Sequence, residues 1–370
     1  MTDKQDDLRW MQRALTLARQ GEGHVEPNPM VGCVITQNER VVGEGFHTAY
    51  GTDHAEIEAL RKAGEEATGG CLYVNLEPCC HQGKTGPCTQ AILAAKIRRV
   101  VVANTDPFPQ VAGSGLAELE ANGVEIVSGI AAEEAEGLNA PYFHYLQTKR
   151  PWVIAKWAMS LDGKIATHRG ESHWISNPSS RRVVHQMRGR VDGILIGRRT
   201  AEVDDPQLTA RPSGPRTAVR IVLDSAAQLS SESQLVRSAR ETPLLVVTSE
   251  AASIEAESRL TDAGCEVVKI NRDQASNPLH TLLDLLGERK MTNLLVEGGG
   301  KVLGSFLDAG LINEVHAFVA PMLIGGEGSS PVAGSGVEQI DLADRLERCH
   351  VEQIEGDLYV SGRFPREKSV

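Results

Sequence analysis

Short runs of aliphatic and β-branched residues recur along the chain at intervals filled by helical patterns, and this rhythm restricts the fold more than any other feature. In the first 145 residues, "MVGCVI" and "RVVGEGF" flank the polar turn "TQNE" as the strands of a hairpin. "CLYVNLEP", "RRVVVANTD" and "VEIVSG" read as further strands, with helices in "HAEIEALRKAG", "CTQAILAAKI" and "GLAELEANG". Leu8, Met11, Leu15 and Ala18 recur at helical spacing, so residues 6–20 predict an amphipathic helix ahead of the hairpin. A hairpin followed by alternating helices and strands implies a mixed sheet with helices on both faces.

A second series begins at Pro151, after the polar connector Gln147-Thr148-Lys149-Arg150. A strand starts there, within "TKRPWVIAKWAMSLDGKIA", and further strands read as "DGILIG", "TAVRIVLDS", "TPLLVVTS", "CEVVKI", "TNLLVEGG" and "EVHAFVAPMLI", with helical patterns interleaved. The last stretch, "ERCHVEQIEGDLYVSGRF", reads as a hairpin turning at Glu355-Gly356-Asp357. The expectation is a mostly parallel α/β sheet edged by antiparallel strands. A length of 370 residues suits two domains, with boundaries at 1–147 and 151–370.

Apolar residues make up 41% of the chain and charged residues 24%, the proportions of a soluble globular protein. A formal net charge of −11 argues against a general nucleic-acid binder, which needs a basic face, but leaves room for a small anionic substrate. The start, "MTDKQDDLRW", lacks the basic and apolar regions of a signal peptide. No apolar run approaches the ~20 residues that span a bilayer. Cys33, Cys71, Cys79, Cys80, Cys88, Cys265 and Cys349 are odd in number and clustered, which suits a metal site with buried thiols better than a disulfide framework. These features predict a cytoplasmic protein with no membrane or nucleic-acid partner. Exposed sheet edges predict a homo-oligomer, dimer or tetramer.

The stretch "NLEPCCHQGKTGPC" offers Cys79, Cys80, His81 and Cys88 as metal ligands, and "TDHAEIEAL" places His54 and Glu56 upstream at a helix start. Catalytic zinc takes three protein ligands and leaves a fourth position for water, whose pKa falls to about 7. A carboxylate must then take that proton and pass it to a leaving group. His54, Cys79 and Cys88 as ligands with Glu56 as proton shuttle meet these needs, in the H-x-E and P-C-x-x-C arrangement of zinc deaminases. The interval between Cys79 and Cys88 is eight residues instead of two. Side chains at i and i+2 of a helix point about 200° apart, so His54 and Glu56 can serve one metal only in the looser first turn. Cys80 and His81 are set aside because adjacent side chains diverge and the Pro-Cys pair recurs at 78–79 and 87–88. The plainer alternatives are an Asp53/Glu56 capping box and a structural zinc half-site.

With those residues in hand, "PNPMVGCVI", "HAEIEAL", "NLEPCCHQGKTGPC" and "NTDPFPQVAGSG" resemble the deaminase half of the bifunctional riboflavin-biosynthesis deaminase–reductase family. "AKWAMSLDGKIA", "GRRTAEVDDPQLTAR" and "LLVEGGGKVLGSF" resemble its reductase half. The resemblance implies an α/β fold: an N-terminal cytidine-deaminase-like domain with a mixed sheet and a C-terminal dihydrofolate-reductase-like domain. It also implies two consecutive reactions with one Zn²⁺ per chain and NADPH. The pyrimidine ribose phosphate 2,5-diamino-6-ribosylamino-4(3H)-pyrimidinone 5′-phosphate is deaminated, and its ribosyl side chain is then reduced to give 5-amino-6-ribitylaminouracil 5′-phosphate.

By the same resemblance, Asn28 and His47 contact the pyrimidine, and Lys84 and Thr85 reach toward the ribose phosphate. Ala158, Trp174, Thr200, Asp204, Ser225 and the segment Gly299, Gly300, Lys301, Val302, Leu303, Gly304 and Ser305 line the NADPH site. Lys156, Ser172, Arg188, Leu208, Arg211 and Glu297 hold the reductase substrate. Physical chemistry adds that guanidinium forks such as Arg188 and Arg211 suit a phosphate. Backbone N–H groups at the start of the helix after "TNLLV" can cradle a pyrophosphate, although the glycines there do not spell G-x-G-x-x-G. Lys301, Arg198 and Arg199 are candidates for a 2′-phosphate contact. Two features depart from the family pattern: Cys80 replaces a small hydroxyl residue and Ser114 a basic one.

Overall fold

Asp7, rather than Leu8, faces inward from the first helix, α1 (Asp3–Ala18). Its carboxylate pairs with Arg99 at 2.7 Å and accepts a hydrogen bond from the Tyr73 hydroxyl at 3.2 Å, which rotates the buried stripe to Asp7, Met11, Ala14, Leu15 and Ala18. Leu8 is left 42% exposed. A charge 92 residues away thus decides which face of the helix is buried.

The structure, a computed structural model, describes residues 3–81, 86–108, 111–271 and 277–365. It divides into two units, Met1–Thr148 and Lys149–Val370. The first contains β1 (Gly32–Gln37), β2 (Arg40–Phe46), α2 (Ala55–Ala63), β3 (Cys71–Leu76), α3 (Cys88–Ala94), β4 (Arg99–Asn104), α4 (Ser114–Ala121), β5 (Glu125–Ser128), α5 (Ala132–Leu138) and α6 (Ala140–Thr148). Asn38 and Glu39 both take positive φ, the twist-matching turn of a tight hairpin, and join β1 to β2. The sheet order is β2-β1-β3-β4-β5, with β1 antiparallel to β2 and β3 and the last three strands parallel. Alternate residues of β1 serve two cores: Val34 packs with Met11 and Leu15 of α1, while Cys33 and Ile35 pack with Ala55 and Ala59 of α2.

The second unit runs β6 (Trp152–Ser160), α7 (Pro178–Arg188), β7 (Gly193–Gly197), α8 (Arg198–Asp204), β8 (Val219–Leu223), α9 (Gln234–Arg237), β9 (Leu244–Thr248), α10 (Ile254–Asp262), β10 (Glu266–Lys269), α11 (Pro278–Glu288), β11 (Asn293–Gly298), α12 (Gly300–Asp308), β12 (Glu314–Ala320), β13 (Glu347–Ile354) and β14 (Asp357–Arg363). Its order is β10-β9-β8-β7-β11-β6-β12-β14-β13, parallel as far as β12 and antiparallel through the final hairpin. Central strands such as β9 are buried throughout, whereas β13 is exposed along nearly its whole length. β12 stops at Ala320, short of the expected "PMLI", because Pro321 has no N–H for the ladder, and Leu323 is 75% exposed. The C-terminal ends of all the parallel strands lie along one edge of the sheet, where open α/β sheets bind ligands.

In the first unit α2 rests directly on β2. A side chain at Gly45 would lie 2.6 Å from the Ala59 nitrogen and would clash with the Ala55 carbonyl. Gly45→Ala is expected to cost about 2 kcal/mol by overpacking and to lower the metal affinity of the full chain, because His54 precedes α2 and Glu56 lies in its first turn. Denaturant unfolding and zinc content measured on the same preparation check both.

Candidate metal centre and cofactor site

His54 is the residue before the first turn of α2, with φ −73° and ψ 161°. This extended conformation frees it from the helical angle, so it and Glu56 can face one point. Its Nδ1 lies 3.5 Å from Cys79 Sγ and 3.3 Å from Cys88 Sγ, and the three atoms all lie within 4.8 Å of one another. Tetrahedral zinc with ordinary Zn–S and Zn–N bonds sets its N···S edges at about 3.5 Å, so the donor set fits. Cys79 follows β3 and Cys88 opens α3, whose backbone N–H donates to Cys79 Sγ at 3.4 Å. Among the described residues no other three His, Cys, Asp or Glu side chains converge in this way, and Cys80 and His81 stay outside the cluster.

The three donors are tied together by shared protons. A hydrogen bond from Cys88, then His54, holds the Cys79 thiol down to about 4 against its burial. The bond to Cys79 raises His54 to about 9 despite desolvation. Cys88 is pushed up by its hydrogen bond to Cys79 and by burial. Glu56 is 3% exposed, and burial pushes its carboxyl up to about 6. Its Oε2 has no hydrogen-bond partner. The capping box is excluded: His54, not Asp53, precedes the helix, and no side chain caps it.

Asn28 Nδ2 and His47 Nε2 are 3.2 Å apart, and His47 Nδ1 is 3.1 Å from the Asp53 carbonyl. The carbonyl can only accept, so the proton sits on Nδ1 and Nε2 accepts from Asn28. Burial holds His47 below the usual histidine value. Its ring meets that of His54 edge-on at 5.5 Å, so the pair adjoins the metal cluster. Lys84 and Thr85 lie outside the described residues. Ser114 opens α4.

In the second unit, Glu297 near the end of β11 takes two hydrogen bonds from Arg188, at 2.6 and 2.9 Å, and lies 3.5 Å from Lys156 Nζ of β6. Burial disfavours the Glu297 charge, but the two cations outweigh it and hold the carboxyl down to about 2. Burial lowers Lys156 in turn, against the pull of Glu297. The Arg188 fork is therefore closed on a carboxylate, and only its remaining N–H groups face elsewhere. Arg211 is exposed and donates to Gln207. Asp204, at the end of α8, accepts from Ser172 Oγ at 2.8 Å, and Trp174 is stacked by His173 at 4.6 Å with Arg181 on its ring. The Leu208 side chain is 3% exposed in the core, which leaves only its backbone for a ligand.

Ala158 lies on β6, two residues from Lys156 and on the same side of the strand. Gly299, with φ 77°, turns the chain from β11 into α12, and a Cβ there would approach Thr200 Oγ1 to 3.0 Å. Gly300, Lys301, Val302, Leu303, Gly304 and Ser305 form the first turns of α12. Gly304 has a structural reason as well, since a side chain would strike the Ala333 carbonyl. Ser225 is exposed just beyond β8.

The match to known proteins runs through both units. Residues 4–104 match the cytidine and deoxycytidylate deaminase zinc-binding region, and residues 151–360 match the RibD C-terminal domain. The riboflavin biosynthesis protein RibD of Actinobacillus pleuropneumoniae is 41% identical over 355 residues, which cover 95% of this chain and 94% of that one. The chain belongs to the RibD family. RibD of Escherichia coli strain K12 is 35% identical over 365 residues, 95% of this chain and 98% of that one. The solved RibD of Acinetobacter baumannii superposes with a TM-score of 0.85 at 34% identity, covering 98% of this chain and 100% of that one. A diaminohydroxyphosphoribosylaminopyrimidine deaminase/5-amino-6-(5-phosphoribosylamino)uracil reductase from Thermotoga maritima does so with the same score at 33% identity and the same coverage. The RibD architecture, a cytidine-deaminase-like domain followed by a dihydrofolate-reductase-like one, is the fold class expected from the sequence.

Several residues that build these RibD sites escaped the sequence reading. Glu77, 4% exposed, accepts from the backbone N–H groups of Asp106, Gly113, Gly115 and Leu116 at 2.9–3.3 Å and so pins the loop between β4 and α4 to the end of β3. Asn75 and Asn139 both bond the backbone at Met30, two residues after Asn28. The only available signal was a polar residue inside or just after an apolar run.

Glu297→Gln is expected to cost about 3 kcal/mol at neutral pH, because it leaves two buried cations short of their partner. The folded carboxyl titrates far below its unfolded value of about 4.3, so its contribution is complete above that pH and is lost as pH falls toward 2. Denaturant midpoints of wild type and variant should therefore converge through that window.

Proposed function

We propose that His54, Cys79 and Cys88 hold a zinc ion and that Glu56 moves the protons of a hydrolytic deamination. The observation that carries this reading is a buried carboxyl with one unpartnered oxygen beside a three-ligand cluster of zinc dimensions. When bound, zinc supplies a Lewis acid and makes water nucleophilic near neutral pH. Glu56, with a carboxyl near 6, can take a proton, deliver it to the ring nitrogen and then to the departing ammonia. Neutral His47 fixes Asn28 through the Nδ2 hydrogen bond and leaves Asn28 Oδ1 to accept from the pyrimidine.

The chain is a bifunctional deaminase and reductase of riboflavin biosynthesis. Its substrate is the diaminopyrimidine ribose phosphate, deaminated by residues 1–147 and reduced by residues 151–370. NADPH supplies the reducing equivalents. Conversion of ribosyl to ribityl replaces the C1′–O4′ bond with a hydrogen on C1′ and a proton on O4′. Lys156, buried beside Glu297 and Arg188, is the proton-bearing group on the floor of this site. Ala158, Trp174, Thr200, Asp204, Ser225 and Gly299–Ser305 orient the cofactor. Ser172, Arg211, the Leu208 backbone and the open edge of Arg188 hold the sugar phosphate. The working form is a cytoplasmic homo-oligomer. Seven cysteines outside any disulfide, the exposed edge strand β13 with Val351, and the exposed Ile340 and Leu342 support that reading. Among the described residues no helix is long and apolar enough to cross a membrane.

Zinc-loaded protein given the diaminopyrimidine phosphate and NADPH should release ammonia first and lose NADPH absorbance second. Glu56→Gln should keep its zinc and lose ammonia release by roughly 10²–10⁴-fold, while still reducing deaminated substrate supplied from outside. A metal-replete Glu56→Gln enzyme that releases ammonia at the wild-type rate would refute the assignment. Cys88→Ser, by contrast, should fail to retain zinc.

A further inference from the structure

We propose that Arg198, braced by Asp224, distinguishes NADPH from NADH by gripping the 2′-phosphate of the adenosine ribose. The proposal rests on reading the strand ends of the second unit as the cofactor site. The sheet order β8-β7-β11-β6 sets its direction. Lys156 and Ala158 on β6 and Glu297 on β11 mark the reacting end, and the turn at Gly299 into α12 marks the pyrophosphate. A dinucleotide extended from β6 across this turn carries its adenosine over the ends of β7 and β8. Arg198 is the first residue after β7, and Asp224 and Ser225 are the first after β8.

Asp224 is 1% exposed. Its Oδ2 accepts from the Leu229 N–H at 2.6 Å, but its Oδ1 has no hydrogen-bond partner. Arg198 Nε stands 3.6 Å from that oxygen, just beyond hydrogen-bond reach, and Nη1 donates to Glu202 at 2.5 Å. A buried carboxylate oxygen without a donor is costly, and a small movement of Arg198 would satisfy it. In that position Nε binds Asp224 and the Nη1/Nη2 edge is free for a phosphate, once Glu202 is displaced. The two-sided use of a guanidinium needs its planar fork, which a lysine lacks.

An acidic residue at a strand end can instead accept from a ribose 2′-hydroxyl and favour NADH. Here the carboxylate is closed to solvent while the Arg198 side chain is 38% exposed, so an entering ribose meets the cation first. Arg199 and Lys301 are exposed and make no ion pair among the described residues, so neither has a partner to orient it.

Calorimetric titration of the full, zinc-loaded chain with NADPH, NADH, 2′-AMP and 5′-AMP tests the proposal without turnover. In Arg198→Ala, NADPH and 2′-AMP should each bind about tenfold or more weakly, while NADH and 5′-AMP stay within about twofold. Arg198→Lys should recover only part of the loss, and Glu202→Gln should tighten NADPH by removing a competing anion. An unchanged NADPH-to-NADH ratio in Arg198→Ala, or an equal loss for both cofactors, overturns the proposal. Thr200→Phe separates the two levels: if it blocks both cofactors while Arg198→Ala leaves their ratio unchanged, only the role of Arg198 falls. If it blocks neither, the cofactor site falls with it.

Discussion

The close approach of α2 to β2 is the constraint on which the deaminase unit depends. Helices usually stand off a sheet by the length of their side chains, but glycines at 43 and 45 let this one settle onto the strand backbone. That contact fixes the depth of the helix start and therefore of His54 and Glu56. The opposing ligands come from the far side of β1, where β3 delivers Cys79 and α3 begins at Cys88. Glu77 then ties the end of β3 to the start of α4 through four backbone N–H groups. The metal cluster is thus held by backbone contacts and a buried carboxylate, not by side chains on mobile tips.

The reductase unit uses the opposite device. The proposed floor of its site is a cluster of charges, Lys156, Arg188 and Glu297, contributed by β6, α7 and β11. Each charge would be costly alone in so dry a place, and together they lock three elements at the ends of adjacent strands. One anion against two cations leaves the floor net positive, which suits a phosphate-bearing substrate and a negatively charged cofactor.

Much of this was legible in the sequence because it follows from residue type and period. Apolar runs marked the central strands, and a His, a Glu and two Cys in that order have few chemical uses besides zinc catalysis. What escaped depends on partners distant in the chain. Asp7 looked like the polar neighbour of a buried Leu8 until Arg99 claimed it. Arg188 looked like a free phosphate fork until Glu297, 109 residues on, closed upon it. Leu208, named with the substrate-holding residues, fills a core at φ 53°, and Asp224, read as part of a strand, buries an unmatched oxygen. The short helices α5 and α6 carry a weak apolar stripe and gave no periodic signal.

Only Lys149–Pro151 lie between the last helix of the first unit and the first strand of the second. Every residue proposed for the metal cluster precedes that connector, and every residue proposed for the cofactor site follows it. The chain cannot be made with one set and not the other. Their copy numbers are locked at one to one, so the balance between making and consuming the deaminated intermediate is set by the two turnover rates. A cell that expresses this chain cannot adjust that ratio by changing its synthesis.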